Sequence, residues 1–548
     1  MQKLMIALLA ALLASPANAD TLVTNANGIQ VGADGKLQKF ESLLIGNDGK
    51  VVRTFTAVQN PHAPKAVRID AHGRTLLPGL IDAHGHFMSL GFFAIQLDLT
   101  GTKSLAELQQ RLRTYAAANP QAKWIVGFGW NQESWSDKRF PTSADLDSVV
   151  SDRQVWLERV DGHAAVANSA AIKAAGVTAA TAAPAGGQIE NGLFVDAAKQ
   201  LIDQKVPPAT PLELDQALAK AQQILLGYGI TATAVMGTPL EQWAAMRRAG
   251  DAGRLDMRVI NYAEGVEPLK TITRPTAWLY RDRLRMVGVK LYADGALGSR
   301  GAWLKQPYSD KPDTHGLQFH SDAELLGLAN TAAAQGFQVA IHAIGDAANA
   351  QVIGTYEQLA KKYPGDRRWR IEHFQIADPA DIPRLAPAGI IASMQPTHQT
   401  SDRLMAERRL GPDRLAGAYA WNSVAKTGVH LAFGSDFPVE SPNPFPGLSA
   451  AISRQDPSGE PPGGWRPEER VTFEQALAGF TREAAYAGFA EDRIGSLDPG
   501  KWADFVLVDR DPTAGTPQDL AATQVVETWV AGKKAWEGSA SAATERGK

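Results

Sequence analysis

Six side chains that can bind a metal ion lie at the ends of strand-like runs in this 548-residue chain: His84, His86, Lys290, His342, His373 and Asp436. Two histidines at positions i and i+2 of a strand point to the same face, because side chains alternate along a strand. His84 and His86 can therefore grip one ion. The other four residues are far apart in sequence, and only a closed barrel brings such distant strand ends to one point. The pattern predicts a metal site.

The apolar, β-rich runs of the central region number eight, and helix-like stretches separate several of them. Strand–helix units with polar residues at the strand ends predict an α/β fold, a (β/α)8 TIM barrel with its site on the carboxyl-terminal face. The predicted strands span residues 77–84, 229–235, 256–262, 285–292, 337–344, 368–374, 389–395 and 430–436.

The two ends of the chain carry short β runs that are split by turn signals such as Asn-Gly and Asp-Gly. We expect residues 20–77 and 491–548 to pair into one small β-sandwich outside the barrel, which would occupy residues 78–490. The interval between the first two barrel strands is too long for one crossover. We therefore interpret about 90–220 as an insertion over the barrel mouth.

Residues 1–19 have the pattern of a cleavable signal peptide, with Lys3, an apolar stretch and Ala-Asn-Ala before Asp20. The apolar stretch is too short to span a bilayer. We expect a periplasmic or secreted protein with no membrane anchor after cleavage. The chain has no cysteine, which excludes thiolate ligands and a cysteine nucleophile. A formal net charge of -3 does not indicate nucleic-acid binding.

Imidazole and carboxylate groups are natural ligands of divalent ions where thiolates are absent. We therefore expect one or two divalent ions per subunit, with zinc as the first choice. Lys290 lies within an apolar strand, where a bare ammonium is costly to bury. A neutral lysine can react with CO2 to give a carbamate that two ions would stabilise; the alternative is a lysine that snorkels to the strand end.

Asp436 closes the last predicted strand, in Gly-Ser-Asp-Phe-Pro. A carboxylate beside a metal can take a proton from water and pass it to a leaving nitrogen, as general base and then general acid. Capping of the following turn is the alternative. Asp436 and Lys290 are thus the candidate catalytic residues.

Four more residues are candidates for binding substrate: Trp130, His163, Asp294 and His398. Trp130 lies in the insertion with Trp135 and Trp156, and both a pocket wall and core packing fit all three. Asp294 follows Lys290 by four residues, so it lies on the same strand face and could orient a ligand or cap a loop. The two histidines could reach a substrate from loops.

Three other charged residues have mainly structural interpretations. Strand alternation places Glu372 on the face opposite to His373, where we expect an ion pair. Arg159 and Arg300 are candidates for receiving an acidic substrate group, although surface or structural roles are more common for arginine.

The motifs around these residues resemble the amidohydrolase superfamily, and within it amidohydrolase family 3, which includes N-substituted formamide deformylase-like proteins. The resemblance covers about residues 40 to 535 and is carried by LPGLIDAHGH, GWNQESW, RVDGHAAVANSAA, KLYADGALGSRGA, IHAIGDAAN, RIEHFQI, GSDFPVESPNPF and GSLDPGKWADFVLVDRDP.

What the resemblance implies is a distorted TIM barrel plus a β-sandwich, with one or two divalent metals, usually zinc. It implies that His84, His86 and Asp436 hold one ion, that His342 and His373 hold the other, and that a carboxylated Lys290 bridges them. The implied reaction is hydrolysis of a C–N bond in a small amide, formamide or cyclic imide by metal-activated hydroxide.

The sequence departs from the family pattern in GITATAVMGT, which lacks the acidic or histidine residue of many relatives, and in a shortened segment after AAPAGGQIENG. Both departures lie near the expected pocket, so the identity of the small-molecule substrate stays open. A lactone, carbamate or ester hydrolase with the same site is one alternative. A non-catalytic periplasmic protein that binds a metal or small molecule is another, although such capture needs neither Lys290 nor Asp436. A homodimer is compatible with the sequence.

Overall fold

The computed structural model describes residues 19–59, 61–132, 135–160, 162, 164–184 and 187–538. Short strands dominate the amino-terminal segment. They are β1 (Thr21–Thr24), β2 (Asn27–Val31), β3 (Leu37–Phe40), β4 (Ser42–Ile45), β5 (Val51–Phe55), β6 (Val67–Asp70) and β7 (Thr75–Pro78).

The first barrel strand, β8 (Leu80–Gly85), and helix α1 (Phe87–Ile95) are followed by a long excursion with a sheet of its own. That sheet has the strand order β13-β14-β12-β11-β10-β9. The excursion contains β9 (Leu97–Asp98), α2 (Leu105–Ala118), β10 (Trp124–Trp130), α3 (Ser143–Asp147), β11 (Gln154–Arg159), β12 (Ala164–Ala167), α4 (Ser169–Ala174), β13 (Gly187–Glu190), β14 (Leu193–Asp196) and α5 (Gln200–Asp203).

The chain then returns to the barrel and alternates strands with helices. The elements are α6 (Pro211–Gly227), β15 (Ile230–Thr238), α7 (Leu240–Asp251), β16 (Arg258–Glu264), β17 (Leu284–Tyr292), α8 (Asp322–Ala334), β18 (Gln338–Ala343), α9 (Asp346–Lys362), β19 (Trp369–His373), β20 (Ile390–Met394), α10 (Pro396–Leu410), α11 (Trp421–Ala425), β21 (Leu431–Phe433), α12 (Pro444–Ser453), α13 (Phe473–Gly479) and α14 (Arg482–Ala487).

Local sequence explains where the long barrel helices begin. Thr210 and Glu213 form a reciprocal capping box at the start of α6, and Ser321 and Glu324 do the same for α8. These pairs satisfy backbone N–H groups that a helix start leaves without partners. The strands between the helices are buried along nearly their whole length, as in β18 and β19, because helices and barrel interior cover both faces.

Parallel pairing in the order β21-β20-β19-β18-β17-β16-β15-β8 makes the eight-stranded sheet of a TIM barrel. Its carboxyl-terminal face gathers the ends of all the strands, so residues far apart in the chain become neighbours there.

The carboxyl-terminal segment pairs with the amino-terminal one. Its elements are β22 (Phe505–Val508), α15 (Pro517–Ala521), β23 (Val525–Val530) and β24 (Lys533–Glu537). β22 runs antiparallel to β7 in a sheet of order β24-β23-β22-β7-β2-β3, beside a second sheet of order β5-β4-β1-β6. Buried Val23, Leu43, Leu76 and Phe505 belong to one apolar core here. The predicted TIM barrel with a β-sandwich built from both chain ends is confirmed.

The predicted signal peptide falls almost wholly on residues 1–18, which lie outside the described residues. Within the described ranges, no helix combines the length and the apolar character needed to cross a membrane.

Candidate metal centre

The site forms where the first and last barrel strands meet. The backbone N–H of Asp436 donates to the carbonyl of His84 at 2.8 Å, and the N–H of His86 donates to the carbonyl of Phe437 at 2.7 Å. Gly85 lies between the two histidines, and a Cβ at this position would be 2.1 Å from Cε1 of Phe437. Only glycine allows this close approach, which brings the His-Gly-His segment against Asp436.

Two imidazoles and one carboxylate converge at this seam, the junction of residues 84–86 with residues 436–437. Nε2 of His86 lies 3.0 Å from Oδ1 of Asp436, and Nε2 of His84 lies 3.4 Å from the same oxygen. Nζ of Lys290, at the end of β17, lies 3.4 Å from Nε2 of His84. His84, His86 and Asp436 form a group that could hold a metal ion.

A buried ion pair between Glu372 and Arg370 contacts the Nδ1 side of the His84 ring. Oε2 of Glu372 lies 2.6 Å from Nδ1 of His84. The guanidinium of Arg370 donates to both carboxylate oxygens of Glu372, at 2.7 and 3.0 Å, and to the carbonyl of Ala83. Burial alone would raise the pKa of Glu372, but the charge of Arg370 holds that pKa well below its usual range. Glu372 therefore accepts the Nδ1 proton of His84.

Strand alternation predicts that Glu372 and His373 lie on opposite faces, but only the predicted ion pair of Glu372 is found in the structure. The rings of His373 and His84 have centroids 4.7 Å apart, so both consecutive residues contact His84. His373 has φ 76°, in the left-handed region. This turn at the strand end interrupts the alternation of side chains.

A second group of three potential ligands contains His373, His398 and Asp436. Nε2 of His398 lies 3.6 Å from Oδ2 of Asp436, and Nδ1 of His373 is paired with Oε1 of Gln395 at 2.9 Å. His398 had been predicted only as a substrate-binding residue. It lies in the first turn of α10 instead of on a strand, so strand periodicity could not identify it.

His342 lies beside these residues but belongs to neither three-ligand group. Its ring centroid is 4.6 Å from that of His373. Its Nε2 lies 3.5 Å from Oδ1 of Asp294. The six residues predicted as metal ligands thus lie around one point of the barrel, with His342 at its margin.

Strained backbone marks two of the converging residues. Asp436 has φ 60° and His373 has φ 76°, values that non-glycine residues adopt rarely and at a cost of about 1–3 kcal/mol each. Such conformations persist when the surrounding structure imposes them and are concentrated at functional sites. Here they turn both side chains toward the seam.

Burial and neighbouring charges shift the pKa values of the candidate ligands. It lowers the pKa of His84 to about 4 and that of His342 to about 3, so both imidazoles are neutral at pH 7. Burial also lowers the pKa of Lys290 to about 8. Burial would raise the pKa of Asp436, but contacts with His86, His84 and His373 outweigh it and keep the carboxylate ionised.

These donors fit a divalent cation. Because Nδ1 of His84 gives its proton to Glu372, the Nε2 atom presents a lone pair toward Oδ1 of Asp436. Oδ1 of Asp436 is buried and makes no hydrogen bond of good geometry, even though His86 is 3.0 Å away. Lone pairs that face each other without a proton between them are stabilised by a cation.

Two of the residues predicted to bind substrate, Trp130 and Asp294, make the structural contacts that the sequence had left open as alternatives. Trp130 is buried within the insertion and donates its indole N–H to the carbonyl of Leu157 at 2.8 Å. Trp135 and Trp156 are likewise buried in the insertion, so all three are core aromatics. Asp294 caps a loop, since it accepts backbone N–H groups of Trp303, Ile344 and Gly345. His163 lies outside the described residues.

A cavity of about 830 Å³ opens beside the converging ligands. Its described lining includes five of the ligand candidates, together with His398. The other lining residues are Tyr292, Ala296, Leu297, Gly298, Ser299, Ile344, Gln375, Asp402, Met405, Val439 and Glu440. A small molecule could therefore reach the seam directly.

The sequence model of the amidohydrolase family matches residues 68–535 of this chain. The chain belongs to the amidohydrolase family. Within this family its sequence is similar to Protein LONG AFTER FAR-RED 3 of Arabidopsis thaliana, with 32% identity over 94% of this chain and 91% of that protein. It is also similar to N-substituted formamide deformylase of Arthrobacter pascens, with 28% identity over 95% and 99% of the two chains.

Among solved structures, this amidohydrolase is similar to an uncharacterized metal-dependent hydrolase from Pyrococcus horikoshii OT3. The TM-score is 0.78 and the sequence identity 28%, over 91% of this chain and 99% of that chain. The family, this likeness and the converging ligands identify the protein as a metal-dependent hydrolase.

Proposed function

We propose that this amidohydrolase cleaves a C–N bond in a small amide, N-substituted formamide or cyclic imide. The observation that carries the proposal is the convergence of His84, His86 and Asp436 beside a cavity large enough for a small molecule. The similarity to N-substituted formamide deformylase along nearly the whole of both chains supports the choice of bond.

In this proposal His84, His86 and Asp436 would hold one zinc ion, and His342 and His373 would hold a second. A CO2-derived carbamate on Lys290 would supply a further ligand to both. The burial and lowered pKa of Lys290 support the carbamate, since CO2 reacts with the neutral amine. When bound, such ions polarise a carbonyl and lower the pKa of water to about 7.

Asp436 is the proposed proton carrier. Its Oδ1 faces the imidazoles of His84 and His86, whereas Oδ2 lies on the side of His398. Oδ2 can accept a proton from the attacking water and donate it to the leaving nitrogen. His398, 3.6 Å from this oxygen, would orient the carboxylate or the substrate carbonyl.

We further propose that residues 1–19 direct the protein to the periplasm or to secretion, and that the mature chain is a homodimer without a membrane anchor. Amino-terminal sequencing of the exported protein tests the cleavage before Asp20. Light scattering of the mature protein tests the dimer, and a monomer mass at working concentration would exclude it.

The proposed activity is tested with purified protein of known metal content on a substrate panel. The panel contains N-alkylformamides, amides and cyclic imides, with lactones, carbamates, esters and dipeptides as the competing classes. Turnover confined to the N-alkylformamides, amides and cyclic imides supports the proposal, and turnover of esters or lactones alone overturns it. Metal binding without turnover of any class would favour a binding protein.

Asp436→Asn gives the matched variant for this test. It keeps the side-chain shape but cannot carry the proton, so kcat should fall by about 10²–10⁴-fold. The remaining ligands should retain metal, which metal analysis of the purified variant checks. Near-normal kcat in the metal-loaded variant would exclude Asp436 as the proton carrier.

A further inference from the structure

One face of α10 forms part of the cavity wall. His398, Asp402 and Met405 recur at the spacing that places side chains on one helix face, and all three line the cavity. Asp402 lies one turn, about 6 Å of helix rise, beyond His398. A substrate whose reacting group lies at the metal ligands can therefore reach Asp402 if it is longer than that group.

Asp402 is a carboxylate that only neutral groups hold in place. Its Oδ2 accepts hydrogen bonds from Nε2 of Gln375 at 3.0 Å and from the hydroxyl of Tyr419 at 2.9 Å. In the described part of the chain, its Oδ1 makes no hydrogen bond and no lysine or arginine pairs with it. One anionic oxygen is thus left for a ligand.

Glu440 repeats this arrangement on a different element of the same cavity. Its Oε1 accepts a hydrogen bond from the hydroxyl of Ser401 at 2.6 Å. Over the described ranges, Glu440 too has no basic partner. Ser401 immediately precedes Asp402, so the two carboxylates belong to the same part of the wall.

Three arginines of the neighbouring segments are paired with carboxylates elsewhere. Arg403 is paired with Asp456 at 3.5 Å, and both Arg300 and Arg409 are paired with Asp310. Arg300 had been a candidate for binding an acidic substrate group, but its guanidinium is already paired with Asp310. Lys290 is the one basic side chain among the described residues that line the cavity, apart from histidines.

His398 provides a second observation that points to a ligand in this cavity. The residue is 8% exposed, and its Nε2 is buried without a hydrogen-bond partner. A buried polar atom of this kind is costly unless a bound group satisfies it. Its position one turn from Asp402 extends the ligand site from the metal ligands along α10.

We propose that the cavity selects substrates that carry a cationic group, such as an ammonium, beyond the scissile amide. This inference rests on the proposed function, to which it adds the substrate class. Asp402 and Glu440 are the specificity residues that receive the cation, because charge-assisted hydrogen bonds to carboxylates are strong in a partly desolvated site. Leu297, Met405 and Val439 line the same cavity and would contact an apolar spacer.

The opposite charge is disfavoured by the same geometry. A substrate carboxylate at this position would meet two like charges without a lysine or arginine to neutralise it, and this repulsion disfavours binding. N-acylated amines with a second basic group therefore fit the cavity, whereas N-acyl amino acids with a free carboxylate do not.

The test compares two formamides of the same shape. In one, the N-alkyl chain ends in a primary ammonium group, which can donate N–H hydrogen bonds, and in the other it ends in a methyl group of nearly the same size. Binding to the metal-loaded enzyme is measured by titration calorimetry, and turnover is measured separately. We expect the cationic compound to bind at least about tenfold more tightly, as a charge-assisted contact predicts.

Asp402→Asn and Glu440→Gln should each reduce this preference, and the double variant should bind the two formamides about equally. Asp413→Asn removes an exposed carboxylate that is outside the cavity lining and should keep the wild-type preference. Glu440→Gln keeps the test valid if Asp402→Asn folds poorly, because Glu440 contacts only Ser401 among the described hydrogen-bonding partners.

Equal binding of both formamides to the wild-type enzyme overturns the inference, as does a preference that survives in the double variant. A clear preference in binding without cleavage overturns the proposed C–N hydrolysis but leaves the charge selectivity in place. Cleavage of both compounds, bound with equal affinity, supports the C–N hydrolysis and overturns the charge selectivity.

Discussion

Oε2 of Glu372 lies 2.6 Å from Nδ1 of His84, deep in the barrel, and this contact determines which nitrogen of His84 faces the metal ligands. A histidine whose Nδ1 proton is held by a carboxylate presents Nε2 as a lone pair. Arg370 in turn holds Glu372 with two hydrogen bonds. Metal binding and barrel packing therefore share one charged network.

Glu372→Gln should weaken metal binding by about 10–100-fold, because the tautomer and ring orientation of His84 are no longer imposed. It should also lower the free energy of unfolding by about 3–5 kcal/mol, since Arg370 loses a buried partner. Competition with a chelator measures the affinity, and denaturant titration measures the stability.

Glu491→Gln is the matched control, because Glu491 is paired in the same way with Arg368 but is distant from the metal ligands in the chain. It should change stability slightly and metal affinity not at all. Wild-type metal affinity in Glu372→Gln would show that the carboxylate only balances the charge of Arg370.

Lys290→Met removes the amine of Lys290 but keeps most of the side-chain volume, so it separates these two contributions. Lys290 is 1% exposed, so an apolar side chain of similar length should leave the metal-free protein as stable or more stable. Loss of the bridging group should lower metal content and abolish most turnover. Mass spectrometry of the intact wild-type protein should show one added CO2, absent from the variant.

Retained turnover in Lys290→Met would exclude a bridging role. A fall in the stability of the metal-free variant would instead assign Lys290 to the fold.

The buried histidines should make the stability of the metal-free protein depend on pH. His342 has a pKa of about 3 in the folded state against 6.5 in the unfolded state, so the unfolded chain binds more protons between these values. The contribution of His342 to stability is complete above pH 6.5 and declines as pH falls, by at most about 1.4 kcal/mol per pH unit.

Two buried carboxyls oppose this trend. Burial raises the pKa of Asp82 and of Asp294 to about 7, so between about pH 3.8 and 7 each adds stability as pH falls. The difference in the free energy of unfolding between wild type and His342→Gln therefore isolates the contribution of His342. Denaturant titrations from pH 7 to 5 should show a shrinking wild-type advantage, and a constant difference would contradict the neutral buried His342.

Gly85→Ala tests the contact that closes the site. The new Cβ would be 2.1 Å from the Phe437 ring, and such overpacking typically costs about 1–3 kcal/mol. The shift of Phe437 should also displace Asp436 and weaken metal binding. Gly327→Ala in α8 has nothing within 4 Å of the added Cβ and should stabilise by about 0.5–1 kcal/mol. Equal effects of the two substitutions, measured by thermal unfolding, would refute this account.

The sequence predicts the barrel well because the signal is local. Each of the eight runs shows its apolar character without reference to the others, and the ligands follow directly at the strand ends. The pairing of the two chain ends was predicted from their similar texture, and the structure confirms it through the pairing of β7 with β22.

The contribution of His398 and the double contact on His84 could not be predicted in this way. His398 lies at a helix start, where its direction depends on how α10 docks. The contact between Glu372 and His84 depends on the left-handed turn at His373, and periodicity assumes that a strand continues regularly. For Trp130 and Asp294 the sequence left core packing or loop capping open beside substrate binding, and side-chain type alone does not decide between them.

Because the backbone of His84 and His86 bonds directly to that of residues 436 and 437, the barrel is sealed by the same segments that bind the ion. A nascent chain emerging from the ribosome cannot assemble this centre until Asp436 has been synthesised, more than three hundred residues after the first histidine pair. An ion held by His84, His86 and Asp436 together would tie the last barrel strand to the first.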